Sequence, residues 1–263
     1  PDSEGGAGFS TQWDAAFVHP IRDVITQSDD AGRDMNKVRD ALYHAYDGDA
    51  FRRVVYTESH DEVANGKARV PSEIDSDDPD AWFAQKRSTL GLALVLTAPG
   101  IPMLFQGQEF LVDGWFQDAD ELDWDQASEH GGIIKLTEKL IRLRRNLDGN
   151  TKGLTGQRIE VFHINHRNKV VAFQRGFDGG PGDDVVVIAN FANQHFEQYQ
   201  FGLPAGGMWR RRFSSDRRMY SEDFAGQASG DIQAESSAYD GKPFSGRIEL
   251  PPYTALIYSQ EAT

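Results

Sequence analysis

The sequence predicts an α/β unit followed by an all-β one, with the change near residue 150. Up to about Asn150, short β-favouring runs alternate with stretches of helical periodicity, and two of the runs end in polar clusters. From Thr151 onward, short β-type runs follow one another between turn-rich stretches, with no helical period of useful length. The first texture means parallel βαβ units, whose chemistry sits at the C-terminal ends of the strands. The second means an antiparallel β-sandwich.

Each element has its own signal. Met35, Val38, Leu42 and Ala45 recur at spacings of three and four, and Gly48 sits where a helix stop belongs. Val54-Val55-Tyr56-Thr57 is β-favouring and ends at the polar cluster Glu58-Ser59-His60-Asp61. Asp80 is the expected N-cap of a helix over Ala81–Leu96, apolar all round in its second half and so expected to be buried. Pro99-Gly100 stops that helix, and Ile101–Phe105 reads as the next strand, leading into Gln106-Gly107-Gln108-Glu109. Ile133, Leu136, Leu140, Ile141, Leu143 and Leu147 then mark one face of a further helix. The β-type runs of the second unit are Ile159–Val161, Val170–Phe173, Val185–Ala189, Tyr199–Phe201, Trp209–Phe213, Arg247–Leu250 and Ala255–Tyr258. Trp209 and Tyr253 are expected to be at least partly buried there, with no catalytic group nearby.

Composition excludes several functions. Among 263 residues there is no cysteine, hence no disulfide framework and no thiolate nucleophile or metal site. Lys and Arg number 27 against 41 Asp and Glu, a net charge of −14 that repels phosphate backbones and argues against a nucleic-acid partner. The apolar stretch Leu90–Leu104 is broken by Pro99, Gly100 and Pro102 and is too short to span a bilayer. The segment Pro1–Gly8 lacks the basic start and apolar centre of a secretory signal and reads as an internal loop feeding a strand, as in a chain cut from a longer one.

His60-Asp61-Glu62 is the sharpest motif. Read alone it is a polar loop in which Asp61 caps a turn. No second His lies at i+4, which argues against zinc, and no Gly-x-Ser-x-Gly elbow supports a serine hydrolase on Ser59. No metal or other cofactor is expected. Trp115 and Phe116, behind Gly107-Gln108-Glu109-Phe110, are either packed aromatics or a platform for a sugar ring. Lys67, in the turn Asn65-Gly66-Lys67, reads as solvated, and the tryptophans as core.

Four stretches together carry a family resemblance. They are Gly5–Phe9 with Trp13-Asp14; Tyr56–Val63 continuing to Gly66-Lys67; Ala98–Phe110; and Leu250–Tyr258. In order and spacing they resemble the sixth, seventh and eighth barrel strands and the closing β-strand of glycoside hydrolase family 13, the retaining α-glucan enzymes of the α-amylase superfamily. Within that family the likeness is greatest to the branching enzymes. The resemblance implies that residues 1–150 form the C-terminal part, strands six to eight, of a (β/α)8 barrel, and residues 151–263 the trailing β-sandwich domain.

It also implies roles. Asp61 would be the carboxylate that binds sugar hydroxyls and supports the transition state, with His60, Glu62, Gln108, Glu109 and Trp115 binding substrate. The implied ligand is an α-glucan such as glycogen, and the implied reaction the transfer of an α-1,4-linked chain to a 6-hydroxyl. An amylase-type or trehalose-releasing hydrolase, or a non-catalytic glucan-binding fragment, is the alternative. The family's nucleophilic Asp and general-acid Glu end the fourth and fifth strands, upstream of anything matched here. The chain is therefore expected to be inactive alone, to be partnered by the missing N-terminal half or by another copy, and, by family, to be cytoplasmic.

Overall fold

The computed structural model describes residues 6–228 and 230–262; the expectation for Pro1–Gly5 lies outside them. The first half builds a small parallel sheet of three strands, β1 (Gln12–Trp13), β2 (Arg53–Val55) and β3 (Ile101–Pro102), in that order. The connections are helical: α1 (Ala15–Thr26) and α2 (Met35–Tyr43) join β1 to β2, and α3 (His60–Val63), α4 (Val70–Ile74) and α5 (Trp82–Thr97) join β2 to β3. α6 (Trp124–Glu129) and α7 (Gly131–Arg144) follow.

Local chemistry sets these limits. Asp14 and Asp34 cap α1 and α2 by accepting the N–H groups of Ala16 and Asn36. α2 stops at Tyr43, short of the expected end. Asp47 (φ 54°) and Gly48 (φ 74°) form the two left-handed corners of a tight Tyr46–Asp49 bridge, so Gly48 serves a hairpin turn rather than a helix stop. Asp80 does not cap α5 either; the N-cap is Ala81, while the Asp80 carboxylate faces His130 at 3.2 Å. The second half of α5 is buried all round, as expected. β3 is shorter than its apolar run because Pro102 offers no N–H, although Met103 N–H still reaches the Val55 carbonyl at 2.9 Å.

Beyond residue 150 every predicted β run is a strand: β4 (Arg158–Asn165), β5 (Val170–Gly176), β6 (Val185–Asn190), β7 (Phe196–Leu203), β8 (Met208–Ser214), β10 (Phe244–Leu250) and β11 (Ala255–Ser259), with a short β9 (Ile232–Gln233) added. All pairings are antiparallel, in a six-stranded sheet β4-β5-β6-β11-β8-β9 and a two-stranded sheet β10-β7. Side-chain alternation divides the larger sheet between two cores. Val170, Ala172, Val186, Ile188, Leu256 and Tyr258 face the small sheet together with Trp209. Val171, Phe173, Val187, Phe213 and Ile257 join the apolar cluster of α1, α2, α5 and α7. Trp209 and Tyr253 are both buried.

Buried guanidiniums close the junction. Arg53 donates to the carbonyls of Ala41, Leu42 and Pro99, and Arg144 to those of Ala98 and Gly100. Arg175, on β5, reaches the Thr97 and Gly156 carbonyls. Carbonyls at the ends of α2 and α5, left without intrahelical partners, are thereby satisfied. Asp14 supplies the carboxylate of this group, at 3.1 Å from Arg53. Burial lowers the pKa of all three arginines, and their mutual repulsion adds to the effect for Arg144 and Arg175.

Candidate functional site

The His-Asp motif stands at the C-terminal end of β2, the middle strand of the parallel sheet. Tyr56 to Ser59 run inward and are buried; the chain then makes one helical turn, and His60 and Asp61 emerge into solvent. Ser59 begins the turn, its carbonyl accepting from the N–H of Glu62 (2.9 Å) and Val63 (3.1 Å). His60 Nε2 lies 3.3 Å from Asp61 Oδ1.

Two supports hold this turn. Below it, Glu58 is buried and accepts from Arg69 Nη1 at 3.1 Å and Val70 N–H at 2.7 Å. Arg69 also donates to the Gln106 carbonyl at 2.9 Å and lies over the Phe105 ring, tying the end of β2 to the segment after β3. Above it, Lys67 folds back and donates to the Asp61 carbonyl at 2.8 Å, so it is not simply solvated as the sequence suggested.

The indole of Trp13, at the end of β1, meets both Tyr56 and His60 edge-on, each at 5.5 Å between ring centres. Trp13 is partly exposed and belongs to this wall rather than to the core. Burial, reinforced by the charges of Glu62, Asp61 and Asp14, pushes the Tyr56 hydroxyl up to about 12.

The other candidates are spread around the turn. Glu62 is turned aside between His19 (3.8 Å) and Lys67 (3.7 Å), into a hollow of about 590 Å³ also bordered by Asp23 and Glu73. Gln108 is buried, its amide donating to Thr57 Oγ1 at 2.6 Å and accepting from Phe105 N–H at 3.1 Å. It braces the site from within. Glu109 is half-buried beside it.

Trp115 is 53% exposed and lines a shallow depression with Gly66, Lys67 and Ser72. Its loop is pinned to the motif by Phe116 N–H on the Val63 carbonyl, 2.7 Å. An exposed indole pinned next to the Asp61 turn can stack on the CH-rich face of a sugar. Sequence reasoning missed Trp13, Glu58, Arg69 and Lys67; the adjacency of Trp13 to Asp14 in the first matched stretch was the available signal.

Among the described residues, no group of three or more His, Asp or Glu is arranged to hold a metal ion, and no helix is long and apolar enough to cross a membrane.

Comparison with known proteins agrees with the resemblance. Residues 163–261 match the family described as the alpha-amylase C-terminal all-beta domain. The chain is 29% identical, over its whole length, to a 1,4-alpha-glucan branching enzyme GlgB of Corynebacterium jeikeium, covering 36% of that protein. It is 32% identical to the GlgB of Pseudomonas putida, with 98% of this chain and 34% of that one aligned. The chain thus spans little more than a third of these relatives. A pullulanase of Anoxybacillus, solved with maltotetraose, shares its fold at a TM-score of 0.65 and 20% identity, over 95% of this chain and 35% of that one.

Proposed function

We propose, starting from the homology of this chain to the C-terminal region of the branching enzymes of glycoside hydrolase family 13, that it is the substrate-gripping part of a retaining α-glucan enzyme. In this reading β1, β2 and β3 are the sixth to eighth strands of a (β/α)8 barrel, and residues 151–263 are its trailing domain. The observation that carries the reading is the placement of His60 and Asp61, exposed at the C-terminal end of a parallel strand with an indole against the imidazole. That is where barrel enzymes keep their chemistry.

Retaining cleavage needs a carboxylate nucleophile and a second carboxyl roughly 5 Å away, acting as acid and then as base. Both come, in this proposal, from strands supplied by another part of the enzyme, so this chain alone turns over no glucan. Asp61 accepts hydrogen bonds from sugar hydroxyls that tighten as the ring flattens toward an oxocarbenium ion, and His60 donates to a neighbouring hydroxyl. Charge-assisted bonds of this kind contribute about 1.5–3 kcal/mol each. Trp115 offers the ring platform and Glu109 flanks the substrate, while Gln108 supports the turn from behind and Glu62, held toward His19 and Lys67, faces the neighbouring hollow. The bound glucan is passed to a 6-hydroxyl, in the cytoplasm where glycogen is made.

Asp61→Asn in the longer enzyme tests this. The expected result is a fall in kcat/KM of at least about a hundredfold with the fold intact, since an interaction of the transition state is lost. Near-normal activity rejects the assigned role. Loss of the iodine colour of amylose without release of reducing ends marks branching; release of reducing ends marks hydrolysis instead.

A further inference from the structure

Glu62, the third residue of the motif, borders a hollow of about 590 Å³ between α1 and the chain that runs from α3 to α4. Its floor is Arg22, which is buried, donates to the Thr57 carbonyl at 2.8 Å and the Ala68 carbonyl at 3.0 Å, and pairs with Glu73. Across it, His19 on α1 faces Glu62 at 3.8 Å, and Lys67 faces the same carboxylate at 3.7 Å. A second hollow, of about 430 Å³, adjoins the first, and the strip Gly66, Lys67 and Ala68 borders both. At its far end stands the exposed indole of Trp115. The backbone beside that indole is fixed to the start of α4: Gly114 N–H donates to Ser72 Oγ at 2.7 Å, and the Gly114 carbonyl accepts from Arg69 N–H at 2.8 Å.

The charges of the larger hollow are balanced. Asp23 has Lys37 at 2.5 Å, Glu62 has Lys67, and Glu73 has Arg22. An ion gains little from such a surface, whereas hydroxyls gain from it, because each carboxylate keeps lone pairs that its cation does not use. The indole adds an apolar face at one end. A row of paired charges leading to a fixed aromatic ring matches a neutral, hydroxyl-rich ligand with apolar ring faces, which describes a sugar chain. Each volume lies within the range of small-molecule sites, about 300–1,000 Å³.

We propose that the two hollows form one groove that holds a run of α-1,4-linked glucose units beside the Asp61 turn, with one ring on Trp115 and hydroxyls toward Glu62, Asp23 and His19. The choice of sugar rests on the α-glucan reading above, and the test uses binding rather than turnover. Calorimetric titration of the full chain with maltoheptaose should give saturable binding, at least about tenfold tighter than with maltose, which fills one hollow at a time. His19→Ala and Asp23→Ala, exposed on α1 and outside the catalytic reading, should each weaken maltoheptaose by about threefold or more. Trp115→Ala should weaken it by about tenfold or more, and all three should keep the circular dichroism of the parent. Added salt should change the affinity by less than about twofold, since the ligand is neutral. Absence of saturable binding, equal affinity for maltose, or a steep loss with salt overturns the groove. Variants of His19 and Asp23 that bind as the parent does overturn it too, while leaving Trp115 its place in the catalytic reading. If Asp61→Asn is harmless in the longer enzyme while the α1 variants lose affinity, the catalytic reading falls and the groove stands.

Discussion

Lys86 Nζ, on α5, lies 2.6 Å from Asp216 Oδ1, just beyond β8, with both side chains out of solvent. Thr254 Oγ1 takes a second ammonium hydrogen at 2.9 Å, and the Phe224 ring covers the charge at 4.9 Å. Burial lowers the Lys86 pKa, and Asp216 opposes that shift. A helix of the first half and a loop of the second are therefore joined by charge as well as by apolar packing.

Lys86→Ala should cost about 3–5 kcal/mol, because it strands the Asp216 carboxylate without its cation. Urea unfolding measures it. Lys86→Met with Asp216→Asn should be milder than Lys86→Ala, since no bare charge remains; equal losses would mean that the ion pair is not what matters here.

Two adjacent glycines make a matched test of the same junction. A Cβ on Gly132 would sit 2.2 Å from the Tyr220 carbonyl oxygen, backbone that cannot step aside, whereas one on Gly131 meets nothing within 4 Å. Gly132→Ala should lose about 1–3 kcal/mol by forced displacement. Gly131→Ala should be neutral or gain up to about 1 kcal/mol from helix propensity. Thermal melts of the two variants should differ in direction or clearly in size.

Alkaline stability should decline in a defined window. Burial pushes the Tyr56 and Tyr199 hydroxyls up to about 12 from the ordinary 10.0. Between those values the unfolded chain has released phenolic protons that the folded chain still holds. Stability from these groups is therefore complete below pH 10 and is lost as pH rises toward 12. Tyr199→Phe should flatten that slope, and the 295 nm tyrosinate absorbance at pH 10 should be smaller in the native than in the urea-unfolded chain.

The parallel sheet should draw a partner. The outer edges of β1 and β3 pair with nothing among the described residues, and Trp13 and Ile101 on them are partly exposed. Such edges invite pairing. Size-exclusion chromatography with mass detection should show self-association or a retained second piece; a clean monomer refutes it.

Much of this was legible in local pattern. Short β-type runs set off by turn-rich stretches located every long strand of the second half, and the motif ending in His60-Asp61 was placed at a strand end, where it stands. What local pattern cannot carry is the identity of distant partners. Nothing around Arg175 announces that its donors will meet the Thr97 carbonyl, nor around Lys67 that its ammonium returns to Asp61. Gly48 and Asp80 misled for a related reason. Each residue type suits both a helix end and another task, and a hairpin corner and a histidine contact took precedence. Gln108 was legible as polar, but its inward orientation was set by Thr57, 51 residues away.

The six-stranded sheet works as a party wall. Because Val171, Phe173, Val187, Phe213 and Ile257 lean on the helices while Val170, Ala172, Val186 and Ile188 lean the other way, neither room has a wall of its own. A boundary near residue 150 divides sequence texture, not the apolar interior. Excised at that boundary, the β-strands would carry one greasy face into water, and the helices would lose the surface against which they fold. Grafting the module onto another enzyme would therefore mean transplanting the facing helices with it.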